Sequence, residues 1–497
     1  MSKLTRRSFL YCGAATGALA TLSGGRVRAA GGDGQVNLGL VGCGWRGGQL
    51  FNAFKGISGV RFAGFCDPDE ARLDELAGQV PGSQRWKDLR AMLDSPEIDA
   101  VAIATCNHWH ALAAIWAMQA GKHVYVEKPL GHYNWEGRQI VNAARRYDRI
   151  CQVGTQQRSD PMQDELKQFL HEDRALGPVE SVRVSRFGMR GTIGKLASPL
   201  AAPATLDYDL WLGPAQDEPI FRKEFHYDWH WDWNTGSGEM GNWGVHIVDD
   251  VRNVVFQDRV ALPRRIVAGG GRFAWHDAGN TPNVHAAVLD TGSIPVIVGV
   301  CNVAVKPGSK SSPTTPGPGS GYTAFCAGGR LEGQRGRGAA FDAAGKKIRE
   351  FTGNGGGGHQ ANFIKAVRTG DASILKAPAE TGHNSTEWCS LANVAYRAGA
   401  ALEESDRAAV LDDIQSAFAG GDKAVALVEQ LRNVAVAHDG PQAARDFRLG
   451  PVLTFDPQSE RFVGPGSEAG NALLRRQDRP GFEVPTVAMG DRQARRS

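Results

Sequence analysis

The chain has 497 residues, 42% hydrophobic and 22% charged, with a formal net charge of +3. At roughly 150 residues per domain this length predicts two or three folded units, and the composition excludes a disordered chain. Five basic residues and no acidic one precede Ala30, leaving 51 basic against 53 acidic residues in the body. Such a balance gives no electrostatic footprint for nucleic acid, and with no apolar run of about 18 residues no membrane span is expected.

Thr5-Arg6-Arg7-Ser8-Phe9-Leu10 is a twin-arginine pattern, followed by a weakly apolar stretch to Leu22 and a small-residue cleavage site at Val27-Arg28-Ala29. Residues 1–29 therefore read as a signal for the twin-arginine export machinery, which carries folded proteins across a bacterial inner membrane to the periplasm. Cys12 leaves with this segment. The other seven cysteines form no C-x-x-C pair and several lie in strand-like runs. They read as small buried hydrophobes, and neither a disulfide framework nor a metal site is predicted.

Val36 to Val41 reads as a buried strand, and Gly42-Cys43-Gly44-Trp45-Arg46-Gly47 follows at once, then a helical stretch to Lys55. This is G-x-G-x-x-G between a strand and a helix, the setting in which glycines admit a pyrophosphate to a helix N-terminus. A second strand, Val60 to Cys66, ends in Asp67. Asp67 suits a ribose diol and repels a 2′-phosphate, which favours NAD over NADP; the alternative is a helix cap. The rhythm continues with a strand at Ile98–Ala104, the loop Thr105 to His110, a helix to Ala120, a strand at His123–Val126 and the signature Glu127-Lys128-Pro129. A helix from Trp135 to Tyr147 and a strand from Ile150 to Val153 complete a dinucleotide-binding unit over residues 36–152.

With Gly42 to Gly47, Asp67, Thr105-x-Asn107-x-x-His110, Gly121-Lys122-His123-Val124, Glu127-Lys128-Pro129 and the later Gly244-Val245-His246, the chain resembles the Gfo/Idh/MocA oxidoreductases over roughly residues 36–400. The resemblance implies an α/β Rossmann domain followed by an α+β domain with a large, mostly antiparallel sheet. It implies NAD between them, with Lys128 beside the nicotinamide and the reacting carbinol. It also implies a homo-oligomer paired through the face of the large sheet. The residues expected to hold NAD are Gly42, Gly44, Trp45, Arg46, Gly47, Asp67, Thr105, Asn107, His110, Glu127 and Lys128.

Residues 153–404 read as the substrate domain. Val179–Phe187, Arg265–Ala268, Val284–Leu289 and Ile294–Val305 alternate as strands do, and 307–321 is a Pro/Gly-rich segment read as a mobile loop. Gly241 to Val251 looks helical, with Asn242, His246 and Asp249 on one face. The family pattern here is Asp-x-Gly-x-His-x-x-Asp, so Asn242 replaces a carboxylate. Catalytic roles are expected for Lys128, His246 and Asn242. His246 could instead only bind substrate, and Asp249 either orients it or packs against a helix. Upstream, Trp229, Trp231 and Trp233 alternate with Asp228, His230 and Asp232. In an extended segment one face would be indole, suited to sugar C–H surfaces, though an aromatic core strand reads equally well. Arg158, Trp229, His230, Trp231, Trp243 and Asp249 are assigned to the substrate pocket. Helices are expected from His359 to Arg368 and from Glu380 to Leu402. Residues 405–497 read as a helix and then an extended, surface-hugging tail used in oligomer contacts.

Little free NAD exists outside the cytoplasm, so an exported NAD enzyme must carry its cofactor tightly bound and regenerate it in place. The expected function is hydride transfer to or from a secondary hydroxyl of a sugar or glycoside. The alternatives are a redox-neutral glycosidase or epimerase, in which a transient ketone acidifies the neighbouring C–H, and a non-catalytic NAD- or sugar-binding protein.

Overall fold

The computed structural model describes residues 34–488; the signal assigned to residues 1–29 lies outside them. Six parallel strands form the first sheet: β1 Val36–Val41, β2 Val60–Cys66, β3 Gln84–Trp86, β4 Ala100–Ile103, β5 His123–Val126 and β6 Cys151–Val153. Their order is β3-β2-β1-β4-β5-β6. β1, β4, β5 and β6 are short and almost wholly buried, as strands covered by helices on both faces must be. The helices α1 Trp45–Lys55, α2 Asn107–Gln119 and α3 Asn134–Tyr147 supply that cover. Strand order reverses between β1 and β4, which opens a crevice at their carboxyl ends where ligands bind in such sheets. β3 has too little apolar sequence to be read in advance; pairing with β2 makes it a strand.

The second sheet has eleven strands. In chain order they are β7 Val179–Phe187, β8 Arg265–Gly271, β9 Val284–Asp290, β10 Pro295–Cys301, β11 Ser320–Cys326, β12 Gly329–Gln334, β13 Arg337–Asp342, β14 Lys347–Thr352, β15 Arg448–Leu449, β16 Leu453–Asp456 and β17 Arg461–Val463. They run β14-β13-β12-β11-β7-β10-β9-β8-β16-β17, with β15 also on β8. Only β7 and β10 pair in parallel. The architecture is therefore a parallel Rossmann sheet followed by a large, mostly antiparallel one.

The inner face of this sheet packs on α4 Val245–Val254, whose Val245, Val248 and Val251 meet Val182, Val184 and Val298 in one apolar core. Helix α5, His359–Thr369, returns to the Rossmann domain and places Phe363 and Ile364 against Leu38 and Leu40. Helix α6, Ala379–Ala398, belongs to both cores: Ala379 packs with the Rossmann strands, Trp388 and Leu391 with the large sheet. The domains are thus joined by packed apolar surface and not only by the chain between them.

Two expectations are corrected. The C-terminal residues are not an extended tail after one helix. Helices α7 Glu404–Ala417 and α8 Gly421–Asp439 lay Ile414, Leu427 and Leu431 on Val267, Val288 and Ile297, so the outer face of β8, β9 and β10 is covered by this chain itself. A dimer cannot pair through that part of the sheet. β15, β16 and β17 then extend the sheet, and Phe482, Val484 and Val487 return to the Rossmann core. Within the Pro/Gly-rich segment 307–321, Gln430 Nε2 donates to the Thr314 carbonyl at 2.8 Å, and the Ser185 and Thr315 hydroxyls meet at 2.6 Å. The seven described cysteines are free. No helix among the described residues is long and apolar enough to cross a membrane.

Candidate active site

Most of the residues singled out in the sequence meet around one cavity of about 870 Å³ between the two domains. The glycine loop forms its floor. Gly42 has φ +89°, and a Cβ there would lie 2.7 Å from the Ala104 carbonyl oxygen; a Cβ at Gly47 would lie 2.0 Å from the Gly42 oxygen. Any side chain would break the turn or push α1 off the strand, so both positions need glycine. Gly47 is buried behind the loop and does not line the cavity, whereas Gly42, Gly44, Trp45 and Arg46 do. Trp45 stands 71% exposed at the mouth.

Asp67 ends β2 at the far wall. Its carboxylate accepts the Cys43 amide at 2.6 Å and the Asp69 amide at 2.9 Å. Burial pushes it up to about 6 despite those bonds. The helix cap proposed as an alternative role falls instead to Asp69, which accepts from the Ala71 amide. Arg72 and Lys87 line the same end.

On the opposite side, Asn107 accepts the Ser237 hydroxyl at 2.8 Å, and His110 is held between the carbonyls of Pro129 (2.7 Å) and Thr105 (3.2 Å). Burial lowers the His110 pKa. Glu127 pairs with Arg46 at 2.7 Å and accepts from Gln156 at 3.0 Å. These bonds tie the glycine loop to the end of β5.

Lys128 is the pivot. Its ammonium donates to the Asn242 backbone carbonyl at 2.7 Å and to the Asn242 side-chain oxygen at 3.0 Å. Burial pulls its pKa down to about 8, opposed by the charge of Glu127. Asn242 sits in a wide π-type turn, Met240–Gly244, that precedes α4, a deviation often found at functional sites. Its amide nitrogen reaches Glu239 at 3.4 Å, and Glu239 is clamped by Arg186 (2.7 Å) and Arg190 (3.0 Å). The Arg186 guanidinium lies 4.5 Å over the Trp243 ring, and Trp243 meets His246 edge-on at 5.9 Å. Burial, then the positive charges of Lys128, Arg335 and Arg46, drives the His246 pKa well below its ordinary value, which keeps the ring neutral.

The aromatic run is not extended. Asp228–Trp231 forms a 3₁₀ turn. His230 stacks on Trp229 with ring centroids 3.6 Å apart, its Nδ1–H donates to the Tyr227 carbonyl at 2.6 Å, and burial holds its pKa near 3. Trp229 and His230 line the cavity. Trp231 does not; it is buried beneath Arg190 at 5.1 Å. Arg158 and Asp249 also lie away from the cavity. They form a buried ion pair at 2.8 Å, with Ser385 donating to Asp249 at 2.6 Å and Asp258 on the other side of the guanidinium. The π-type turn spoils the simple helical face: Asn242 and His246 reach the cavity, and Asp249 turns into the protein.

Sequence reasoning missed Glu239, Arg186, Arg190, Arg335, Gln156 and Tyr227. Of these, Arg186 and Arg190 at the end of a predicted strand and Glu239 three residues before Asn242 carried a usable signal. Arg335 comes from the β12–β13 turn, which pattern reading did not find.

Residues 36–155 match the oxidoreductase family description "NAD-binding Rossmann fold", and residues 187–272 match its "C-terminal alpha/beta domain". Each of these two regions matches a model of the Gfo/Idh/MocA oxidoreductase family. The chain is 33% identical over 141 residues to inositol 2-dehydrogenase 2 of Saccharopolyspora erythraea, a match spanning 28% of this chain and 42% of that protein. It is 37% identical over 130 residues to a glycosyl hydrolase family 109 protein of Shewanella pealeana, covering 24% of this chain and 28% of that one. The matched region is thus less than half the length of either relative. In fold it resembles the WlbA dehydrogenase of Bordetella pertussis, solved with NADH and UDP-GlcNAcA (TM-score 0.50, 18% identity, 71% of this chain and 93% of that one). The cofactor of this Rossmann domain is NAD, and the residues fit it: the loop leaves no room for side chains at Gly42 and Gly47, the Asp67 carboxylate lines the far wall, and the cavity continues to Lys128.

Proposed function

We propose that this protein is an exported NAD-dependent oxidoreductase acting on a secondary hydroxyl of a sugar or glycoside. The observation that carries the reading is the buried Lys128 ammonium, lowered to about 8 and held against Asn242 at the junction of the NAD-binding crevice and the aromatic wall. NAD, when bound, supplies the hydride acceptor. Lys128, in its neutral form, accepts the hydroxyl proton as the carbinol becomes a carbonyl, and its ammonium returns that proton in the reverse direction. Asn242 fixes the Nζ by two hydrogen bonds, so little motion separates the resting from the working position. His246, kept neutral, offers a ring nitrogen to a neighbouring hydroxyl, and Trp229 and Trp243 offer indole surface to sugar C–H groups. Trp45, Trp229 and Trp243 line the cavity and shed water as it fills.

The twin-arginine pattern of residues 5–10 supports folding around NAD before export, and so a captive, internally recycled cofactor in the periplasm. A second reading, redox-neutral glycoside cleavage, is favoured by the glycosyl hydrolase family 109 relatives, with Tyr227 lining the cavity beside His230. The test is the NAD(H) content of mature exported protein, followed by turnover of sugars and glycosides with no added acceptor. About one equivalent of retained NAD supports the captive reading. Glycoside cleavage without net NADH selects the second one, and an empty, inactive protein refutes both.

A further inference from the structure

The outer face of the large sheet carries a buried charge that the chain leaves uncompensated. In β7, Val182 and Val184 point into the apolar core against α4, so period-two alternation turns Arg183 to the opposite face, away from Arg186 and the cavity at Lys128. Arg183 is only 8% exposed, and its Nε and Nη2 have no hydrogen-bond partner. Its nearest aromatic is the Phe187 ring at 5.9 Å. Burial alone pulls its pKa down to about 10; no carboxylate opposes that effect. A desolvated guanidinium with open donors is expensive to keep, and buried charges are normally paired.

Arg183 opens into a second cavity, about 670 Å³, between β7, α8 and the segment around Thr315. A second cation enters from α8: Lys423 Nζ donates to the Ser181 hydroxyl at 3.3 Å and sits 5.2 Å over the Phe325 ring. The Thr315 hydroxyl, bonded to Ser185, lines the same space. Among the lining residues there is no aspartate or glutamate. Two cations, the hydroxyls of Ser181 and Thr315 and no acid around an open volume form the complement of a small anion. The planar fork of Arg183 suits two oxygens at once, and Lys423 adds a point charge.

We propose that this cavity is an oxyanion-binding site, separate from the active-site cleft, in which Arg183 and Lys423 grip a small phosphate or carboxylate ligand. The site is assembled from β7, the 302–319 segment and α8, so an occupant ties the C-terminal helices to the sheet. Its predicted effect is stabilisation of that packing, by the amount that binding to the folded state alone provides.

The test uses the mature protein saturated with NAD, so that the glycine loop is already filled. Inorganic phosphate and, separately, acetate are titrated calorimetrically at ionic strength held constant with chloride, with melting temperature followed in parallel. One saturable site for phosphate or acetate, with a rising melting temperature, is expected; the stronger of the two probes identifies the oxyanion class. Arg183→Met should weaken that binding by about tenfold or more, since a charged hydrogen bond is lost, and should not lower the melting temperature in chloride alone. Lys423→Gln, on an exposed position of α8, should weaken binding without disturbing the fold and serves if Arg183→Met does not fold. Failure of both anions to bind, or binding indifferent to both substitutions, overturns the proposal. So does an oligomer that Arg183→Met dissociates while neither anion binds, since a carboxylate of a second copy would then be the partner of Arg183.

Discussion

Lys128, at the end of β5, and Asn242, in the turn before α4, are joined by two hydrogen bonds at 2.7 and 3.0 Å across the boundary between the domains. One acceptor is a backbone oxygen, which no substitution of Asn242 removes. The other is the side-chain amide oxygen, a neutral acceptor. A neutral partner holds the ammonium in place without the strong charge stabilisation an aspartate would add, and burial is then free to lower its pKa to about 8.

Replacing Lys128 should therefore remove turnover while leaving the cofactor site. For Lys128→Met, a loss of about 10²- to 10⁴-fold in kcat is expected, the usual span for a positioned proton-transfer group. NAD retention, followed by fluorescence quenching of the indoles at the cavity, should change little. Full turnover by a stably folded Lys128→Met protein would falsify the assignment.

The pH profile follows from the same amine. Oxidation needs Lys128 neutral, and the neutral fraction grows as pH rises, so kcat for oxidation should rise through about pH 8 and level above it. Reduction needs the ammonium and should fall over the same interval. Asn242→Asp places a negative charge at the 3.0 Å contact, favours the ammonium, and should move the oxidation limb upward by about one pH unit or more. A limb that stays in place would show that Lys128 is not the titrating group.

The Rossmann half of this picture was legible because its signals are local. β1, the glycine loop and Asp67 fall within a few dozen residues, and the buried runs at β4 and β5 have no competing pattern. The second domain was legible only where apolar residues, valine above all, run or alternate, as in β7, β8, β9 and β10. β11 to β14 read Ser-Gly-Tyr-Thr, Gly-Arg-Leu-Glu, Arg-Gly-Ala-Ala and Lys-Ile-Arg-Glu. Their intrinsic preference is poor, and cross-strand pairing decides their state. The same limit hid Arg335, which reaches the cavity from the turn between two such strands. Asp249 was misplaced for another reason: helical spacing assumed 3.6 residues per turn, and the wide turn at Met240–Gly244 rotates the residues around it. The three alternating indoles misled because period two was read as extended chain where a 3₁₀ turn forms.

Cofactor choice should depend on Asp67. Its carboxylate, fixed by the amides of Cys43 and Asp69, repels a 2′-phosphate, while Arg72 and Lys87 at the same end would welcome one. Asp67→Asn should weaken NAD and strengthen NADP, together shifting the ratio of their dissociation constants by about tenfold or more toward NADP. Equilibrium titration of both dinucleotides checks this, and an unchanged ratio would assign the discrimination elsewhere.

Asp249 should behave as a structural residue. It carries one side of the buried Arg158 guanidinium and accepts from Ser385, while Asp258 holds the other side. Asp249→Ala leaves a buried cation half-paired and should lower stability by about 3–5 kcal/mol, the span for breaking a buried pair. The pH at which oxidation rises should not move. A shifted limb with an unchanged denaturation midpoint would return Asp249 to the proton-transfer machinery.

The C-terminal segment should matter for the site although it lies outside both domains' family-matched regions. Arg476 donates to the Asn234 carbonyl at 3.3 Å in the substrate domain and to the His108 carbonyl at 3.2 Å in the Rossmann domain, with Asp478 pairing its Nε at 3.0 Å. His108 lies in the first turn of α2, next to Asn107 at the cavity wall. Beyond it, Phe482, Val484 and Val487 fill the Rossmann core and Arg479 donates to the Gly213 carbonyl. Ending the chain after Ala472 exposes the surface these three side chains cover, each worth about 1.5–3 kcal/mol when fully buried, and frees the two carbonyls that Arg476 spans. The expected result is a lower melting temperature together with weaker NAD retention. Arg476→Ala, which keeps the apolar contacts, should reproduce the weaker retention with a smaller loss of stability. A truncated protein that melts and holds NAD as the full chain does would mean that α5 and α6 fix the two domains against each other without it.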